Sequence, residues 1–177
     1  IILCNPSNPT GIIQNKDNLI NLNKLIDKYN LYIISDEVYE ILDHNNKFIS
    51  FASINKNKDR VFTINSFSKG FAMSGFRLGY VASSRNNIKN LTSIQSQITT
   101  SPGYISQKCG ELIFEFKHLM NPVYEQLNNS LTYLNSELLK IKTIKYVKPD
   151  GALYFFPDVS YYINKNYNNH IIIDIDT

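Results

Sequence analysis

Residues 60–83 read RVFTINSFSKGFAMSGFRLGYVAS. Two runs in it, RVFTIN at 60–65 and RLGYVAS at 77–83, have the β-branched and aromatic content of strands. Only eleven residues, 66–76, separate them. A parallel crossover needs a dozen residues or more and normally carries a helix. The second run is therefore expected to pair antiparallel with the first. Between them stands Lys69, in unpolar company, with glycines at 70, 75 and 79 around it and Arg77 eight positions on. A surface lysine needs no such neighbours, whereas a reactive amine has use for them.

The chain upstream supplies the rest of a sheet. IILC at 1–4 is a short apolar strand, and NPSNPTG at 5–11 is dense in turn formers. From Asp17 to Tyr29, Leu19, Leu22, Ile26 and Tyr29 recur at helical spacing, with Asn15 as an N-cap. LYIIS at 31–35 is the next strand. Strand, loop, helix and strand in this order make a parallel βαβ unit. Downstream, helices are expected over 86–98, 104–116 and 122–141, and IKYVKPDGALYFFPDVS reads as a hairpin turning at Pro149-Asp150-Gly151. The expected fold is α/β: a mostly parallel sheet with one antiparallel strand, flanked by helices, followed by the start of a small α+β domain. The expected division is 1–120 as part of a large domain, and 121–177 as a long connecting helix and the beginning of a smaller one.

Bulk properties narrow the function classes. The chain has 177 residues, 43% apolar and 19% charged, with a net charge of +3. That charge is small and its lysines are scattered, which argues against nucleic acid as a partner. No apolar run approaches the length of a membrane span. Cys4 and Cys109 stand far apart with no His/Cys cluster near them, so neither a metal site nor a disulfide is indicated. The first residue is not Met and the chain opens inside a strand, so it is expected to begin within a larger protein. No targeting segment is visible.

In an open α/β sheet, ligands bind at the carboxyl ends of the strands. Asn8 follows the first strand, Asp36 and Tyr39 the second, and Ser66, Ser68 and Lys69 the third. Each has a plain reading alone: Asp36 as a helix cap, the serines as caps or loop filler, Arg77 as an edge charge, Asn8 as part of a rigid turn. Together they suit a ligand with a phosphate, a ring nitrogen, a phenolic oxygen and an aldehyde. Ser66, Ser68 and Arg77 would grip the phosphate, Arg77 as a fork. Asp36 would hold a proton on the ring nitrogen, Asn8 and Tyr39 would bind the phenolic oxygen, and Lys69 would form a Schiff base with the aldehyde. That chemistry asks for an amine of lowered pKa, which an apolar pocket beside an arginine provides. The ligand so described is pyridoxal 5′-phosphate.

The order and spacing of NPSNPTG, ISDEVYE, SFSKGFAMSGFRLGY and GALYFFP resemble the fold-type I, class I pyridoxal-phosphate aminotransferases. Within that class, ISDEVYEIL, FISFASI and IQSQITTSPGYISQ look most like the bacterial and plastid aspartate aminotransferases, some of which also use prephenate. The resemblance implies Lys69, Asp36 and Tyr39 as catalytic residues, and Asn8, Asp36, Tyr39, Ser66, Ser68, Lys69 and Arg77 as cofactor ligands, with no metal. It implies transfer of an amino group from aspartate or a similar donor to a 2-oxo acid, a homodimer in the full-length protein, and turns at Gly75 and Gly79. The expected compartment is the cytoplasm, with an organelle as the alternative. Family members are longer at both ends. Their substrate-clamping arginine has no counterpart here, because no arginine occurs after Arg85. A carbon–sulfur lyase or an aminocyclopropane-carboxylate synthase on the same scaffold, a cofactor-sensing regulator domain and an inactive remnant are the alternative readings.

Overall fold

The computed structural model describes residues 1–55, 57–168 and 170–174. Its main sheet has four strands in sequence order: β1 (Ile2–Cys4), β2 (Ile33–Asp36), β3 (Val61–Ser66) and β4 (Gly79–Ala82). β1 pairs parallel with β2 and β2 with β3, whereas β4 runs antiparallel to β3, with Ser66 opposite Gly79. The short 66–76 segment thus has the effect expected of it. It forms one helical turn, α3 (Phe67–Gly70), and a 3-10 turn at Ser74–Phe76, and then folds back. Gly79 is required by this return, since a Cβ there would lie 2.8 Å from the Asn65 carbonyl oxygen. Gly75 meets nothing within 4 Å, so the turn expected to demand glycine there does not. The left-handed residues of this segment are Ala72, at φ +53°, and Arg77, at φ +52°.

One face of the sheet packs on α1 (Lys16–Lys28) and the short α2 (Phe51–Ile54). Asn15 caps α1 by accepting from the Asn18 amide, and the apolar stripe of the helix brings Leu19 and Ile26 against Ile33, Phe51 and Val61. Strand alternation places Ile33 and Ser35 on this buried face, and Ile34 opposite. A second core gathers Phe67, Phe71, Met73 and Leu78 with Met120, under α5 (Tyr104–Ile113) and α6 (Asn121–Leu138). Between β4 and α5 runs α4 (Arg85–Ile98), capped by Ser84. The helix expected over 104–116 ends at Ile113 and is followed by a 3-10 turn at Lys117–Met120. A two-stranded antiparallel pair, β5 (Asn166–Tyr167) and β6 (His170–Ile171), lies near the end of the chain. The final positions of the second expected unit, 175–177, lie outside the described residues.

The loop after β2 is pinned by a buried acid. The Glu37 carboxylate accepts from Ser35 Oγ at 2.8 Å, Ser50 Oγ at 3.1 Å and the Phe51 amide at 3.0 Å. It ties the strand end to the start of α2. Glu37→Ala leaves the Phe51 N–H without its acceptor, and should cost about 2 kcal/mol in urea unfolding.

The hairpin expected at Pro149-Asp150-Gly151 does not form. Its arms meet at one isolated bridge, Lys145 with Asp158. The backbone donors nearer the turn are taken elsewhere: the Asp150 and Gly151 amides both donate to the Gly11 carbonyl at 2.9 Å, and the Ala152 amide to Leu42 at 2.9 Å. The His44 amide donates back to Asp150. Residues 149–154 are therefore a strap laid between the 5–13 loop and the 39–47 loop. Lys47 closes it from outside with a 2.7 Å ion pair to Asp150.

Candidate active site

The carboxyl ends of β1 and β2 carry the side chains that converge. Asp36 ends β2, and its Oδ1 accepts from the Val38 amide at 3.4 Å, turning the chain toward Tyr39. Tyr39 is buried beside Leu42 and Ala152. Its oxygen lies 2.5 Å from the Tyr154 hydroxyl, with the Asn8 side chain near it. Burial pushes the Tyr39 phenol well above the usual tyrosine range, so it stays protonated. The Lys69 amine sits 6.0 Å from the centre of the Tyr39 ring. Cys4 lies beneath, its thiol pushed up by burial and by the Asp36 charge, so it is a thiol and not a thiolate.

Lys69 corrects one expectation. Its side chain is exposed, not enclosed in an apolar pocket. The unpolar neighbours that suggested a pocket point the other way: Phe67, Phe71 and Met73 fill the core under α5 and α6, and Gly70 lies against Ile41, where a Cβ would meet Ile41 Cδ1 at 2.8 Å. Tyr124 of α6 donates to the Gly70 carbonyl at 2.7 Å. The stretch thus presents its one amine outward from a rigid turn.

Two of the three residues expected on a phosphate, Ser66 and Arg77, engage nearby backbone. Ser66 caps α3, accepting from the Ser68 amide at 3.1 Å and donating to the Leu78 carbonyl at 3.3 Å. Arg77 is exposed and donates through Nη1 to the Ser74 carbonyl at 3.0 Å. The structure therefore gathers Asn8, Asp36, Tyr39 and Lys69, and places Ser66, Ser68 and Arg77 on the adjoining turn. Among the described residues, no group of three His, Cys, Asp or Glu side chains is placed to hold a metal ion.

Sequence reasoning missed two groups at this rim. Tyr154 lies 115 positions from Tyr39, and nothing local marks it. Glu40 follows Tyr39 by one residue. Burial and the neighbouring Glu37 charge raise its carboxyl pKa, against smaller opposing effects of Asn65 and Lys117. A carboxyl raised in the folded state binds more protons than in the unfolded chain, so its ionisation lowers stability as pH rises through the unfolded value. Glu40→Gln should therefore raise the melting temperature at pH 7 and leave it unchanged near pH 3.

The donor set fits one kind of ligand. A carboxylate, a protonated phenol paired with an amide, and a primary amine stand at the ends of adjacent parallel strands, with two hydroxyls and a guanidinium beyond. That is the complement of a pyridine bearing a hydroxyl, an aldehyde and a phosphate. The family model for aminotransferase class I and II matches residues 1–170. An aspartate aminotransferase of Pinus pinaster is 37% identical over 168 residues, covering 92% of this chain and 34% of the relative. A bifunctional aspartate aminotransferase and glutamate/aspartate-prephenate aminotransferase of Petunia hybrida is also 37% identical over 168 residues, covering 92% of this chain and 35% of its own. A solved double mutant of Thermus thermophilus aspartate aminotransferase superposes with a TM-score of 0.83 at 29% identity, over 91% of this chain and 42% of that one. The chain belongs to the class I and II aminotransferases, a family whose cofactor is pyridoxal 5′-phosphate. It spans about a third of the length of the two plant relatives.

Proposed function

We propose that this chain carries the cofactor-binding half of a pyridoxal-phosphate-dependent aminotransferase. The observation that carries the reading is the meeting of Lys69, Asp36 and the Asn8–Tyr39 pair at the strand ends, in a chain of this family. Bound there, pyridoxal phosphate supplies an aldehyde that captures the amino group and an electron sink for the α-carbon electrons. The Asp36 carboxylate holds a proton at the ring nitrogen. The Tyr39 hydroxyl and the Asn8 amide bind the phenolic oxygen. Ser66, Ser68 and Arg77 take the phosphate, Arg77 by releasing Ser74. The exposed Lys69 amine would bind the aldehyde carbon at rest, and would carry the proton from the substrate α-carbon to that same cofactor carbon.

The amino donor is aspartate or a similar amino acid and the acceptor a 2-oxo acid, as the names of the relatives suggest. The complete protein acts as a homodimer. Exposed apolar side chains on α4 and α5, including Ile98, Tyr104 and Ile105, offer it a surface. Residues 1–120 belong to its large domain, and 121–177 to the connecting helix and the start of the small one. α6 supports that division, because Tyr124 packs on the Lys69 turn while Asn135 receives the Tyr146 hydroxyl from the later segment. The compartment is the cytoplasm or an organelle. Among the described residues, no helix is long and apolar enough to cross a membrane.

Borohydride reduction of the native protein with pyridoxal phosphate tests the reading. Visible absorbance should vanish, and peptide mass spectrometry should place a pyridoxyl group on Lys69. Folded protein with no label at Lys69 refutes it. With aspartate and 2-oxoglutarate, oxaloacetate should accumulate only when both are present. Arg77→Gly isolates the phosphate role. Glycine takes φ +52° without strain, so the fold should keep its stability within about 1 kcal/mol. Cofactor affinity measured by dialysis should fall tenfold or more.

A further inference from the structure

We propose that Tyr154 is a positioning residue for Tyr39, donating its hydroxyl proton to the Tyr39 oxygen so that the Tyr39 proton points at the cofactor's phenolic oxygen. The assignment rests on the cofactor reading above.

The two hydroxyl oxygens are 2.5 Å apart, with the rings edge to face, 5.6 Å between centroids at 81°. Either oxygen could donate across so short a gap, and counting protons decides the direction. A phenol has one proton and two acceptor lone pairs. In the cofactor reading, Tyr39 spends that one proton on the phenolic oxygen. If Tyr39 spent its proton on Tyr154 instead, it would have none to give the phenolic oxygen. With Tyr154 as donor, the Tyr39 proton is left free for the phenolic oxygen.

Tyr154 is carried to this position by backbone and not by side-chain chance. The strap is fixed by the Asp150, Gly151 and Ala152 amides on Gly11 and Leu42. The half-buried His44 ring adds a 3.0 Å bond from Nε2 to the Ala152 carbonyl. Ala152 is fully buried and held at φ +60°, a left-handed conformation that alanine adopts only when its surroundings compel it. Two residues on, the chain delivers Tyr154. A donor placed this firmly polarises Tyr39 and strengthens its outward bond.

The test uses the native full-length protein reconstituted with pyridoxal phosphate, as wild type, Tyr154→Phe, Tyr39→Phe and the double variant. Phenylalanine keeps the ring packing, so all four should fold and bind cofactor. The readout is the pH midpoint of the bound cofactor's visible absorbance. A donor at the phenolic oxygen favours the deprotonated cofactor, so weakening it moves the midpoint up. Tyr154→Phe should raise it by roughly half a unit. Tyr39→Phe should raise it further, and adding Tyr154→Phe to Tyr39→Phe should change nothing more, since Tyr154 acts only through Tyr39. An unchanged midpoint in Tyr154→Phe, or full additivity in the double variant, overturns the assignment while leaving the cofactor reading intact. A wild type that folds and develops no cofactor absorbance overturns the cofactor reading and this assignment with it.

Discussion

Lys69→Ala should abolish transamination in the native protein while leaving its fold in place. Removing the amine takes away both the group that anchors the aldehyde carbon and the base that moves the α-proton. Positioned acid–base catalysis alone accounts for up to ~10⁴-fold, so kcat should fall by at least about that factor. The structural cost is small because the side chain is exposed and its contact with the Tyr39 ring is long, at 6.0 Å. An exposed cation–π contact contributes about 0.5–1 kcal/mol. Stopped-flow assay with aspartate and 2-oxoglutarate, run beside thermal melts, separates the two effects. A folded variant that keeps a tenth of wild-type kcat would remove Lys69 from the role proposed for it.

Gly11→Ala should have the largest structural effect of the seven glycine-to-alanine changes. Gly11 sits at φ +68°, and a Cβ there would come 2.5 Å from Pro149 Cβ, 2.9 Å from the Gly151 carbonyl oxygen and 3.1 Å from that of Tyr154. The left-handed backbone costs a non-glycine residue about 1 kcal/mol or more, and the overlap costs about as much again, because two of the three atoms are backbone. A loss of roughly 2 kcal/mol or more in urea unfolding is the expected sum. The methyl also forces the strap off the Gly11 carbonyl, so limited proteolysis should cut near 149–154 faster than in the wild type. Stability within 1 kcal/mol of wild type would mean that the strap is not held as described.

The sheet was legible because its decisive constraint is local. The distance from Asn65 to Arg77 is too short for a crossover, and β4 reverses accordingly. The Asn15 cap and the Leu19–Ile26 stripe of α1 are likewise local patterns, and both stand. Asn8, Asp36, Tyr39 and Lys69 are candidates on the ground that strand ends are where such a sheet binds ligands. What escaped depends on partners remote in sequence. The Pro-Asp-Gly turn looks like a hairpin until Gly11 and Leu42 take its amides. Glu37 reads as one acid among several in SDEVYE until Ser35, Ser50 and Phe51 surround its carboxylate. The phenylalanines beside Lys69 declare apolar surroundings, yet period alone does not say on which side of a one-turn helix the core lies.

The strap gives the molecule a timetable. Tyr39 and Tyr154 are 115 positions apart, and closing a loop of that length costs on the order of 4 kcal/mol in chain entropy before any contact repays it. β1, β2 and β3 can pair from neighbouring segments, but the wall around Tyr39 waits for residues made much later. During synthesis, the sheet can assemble while its ligand-binding edge still lacks that wall. A chain interrupted before residue 149 would keep every side chain proposed to touch the cofactor and still lack the strap that closes over Tyr39.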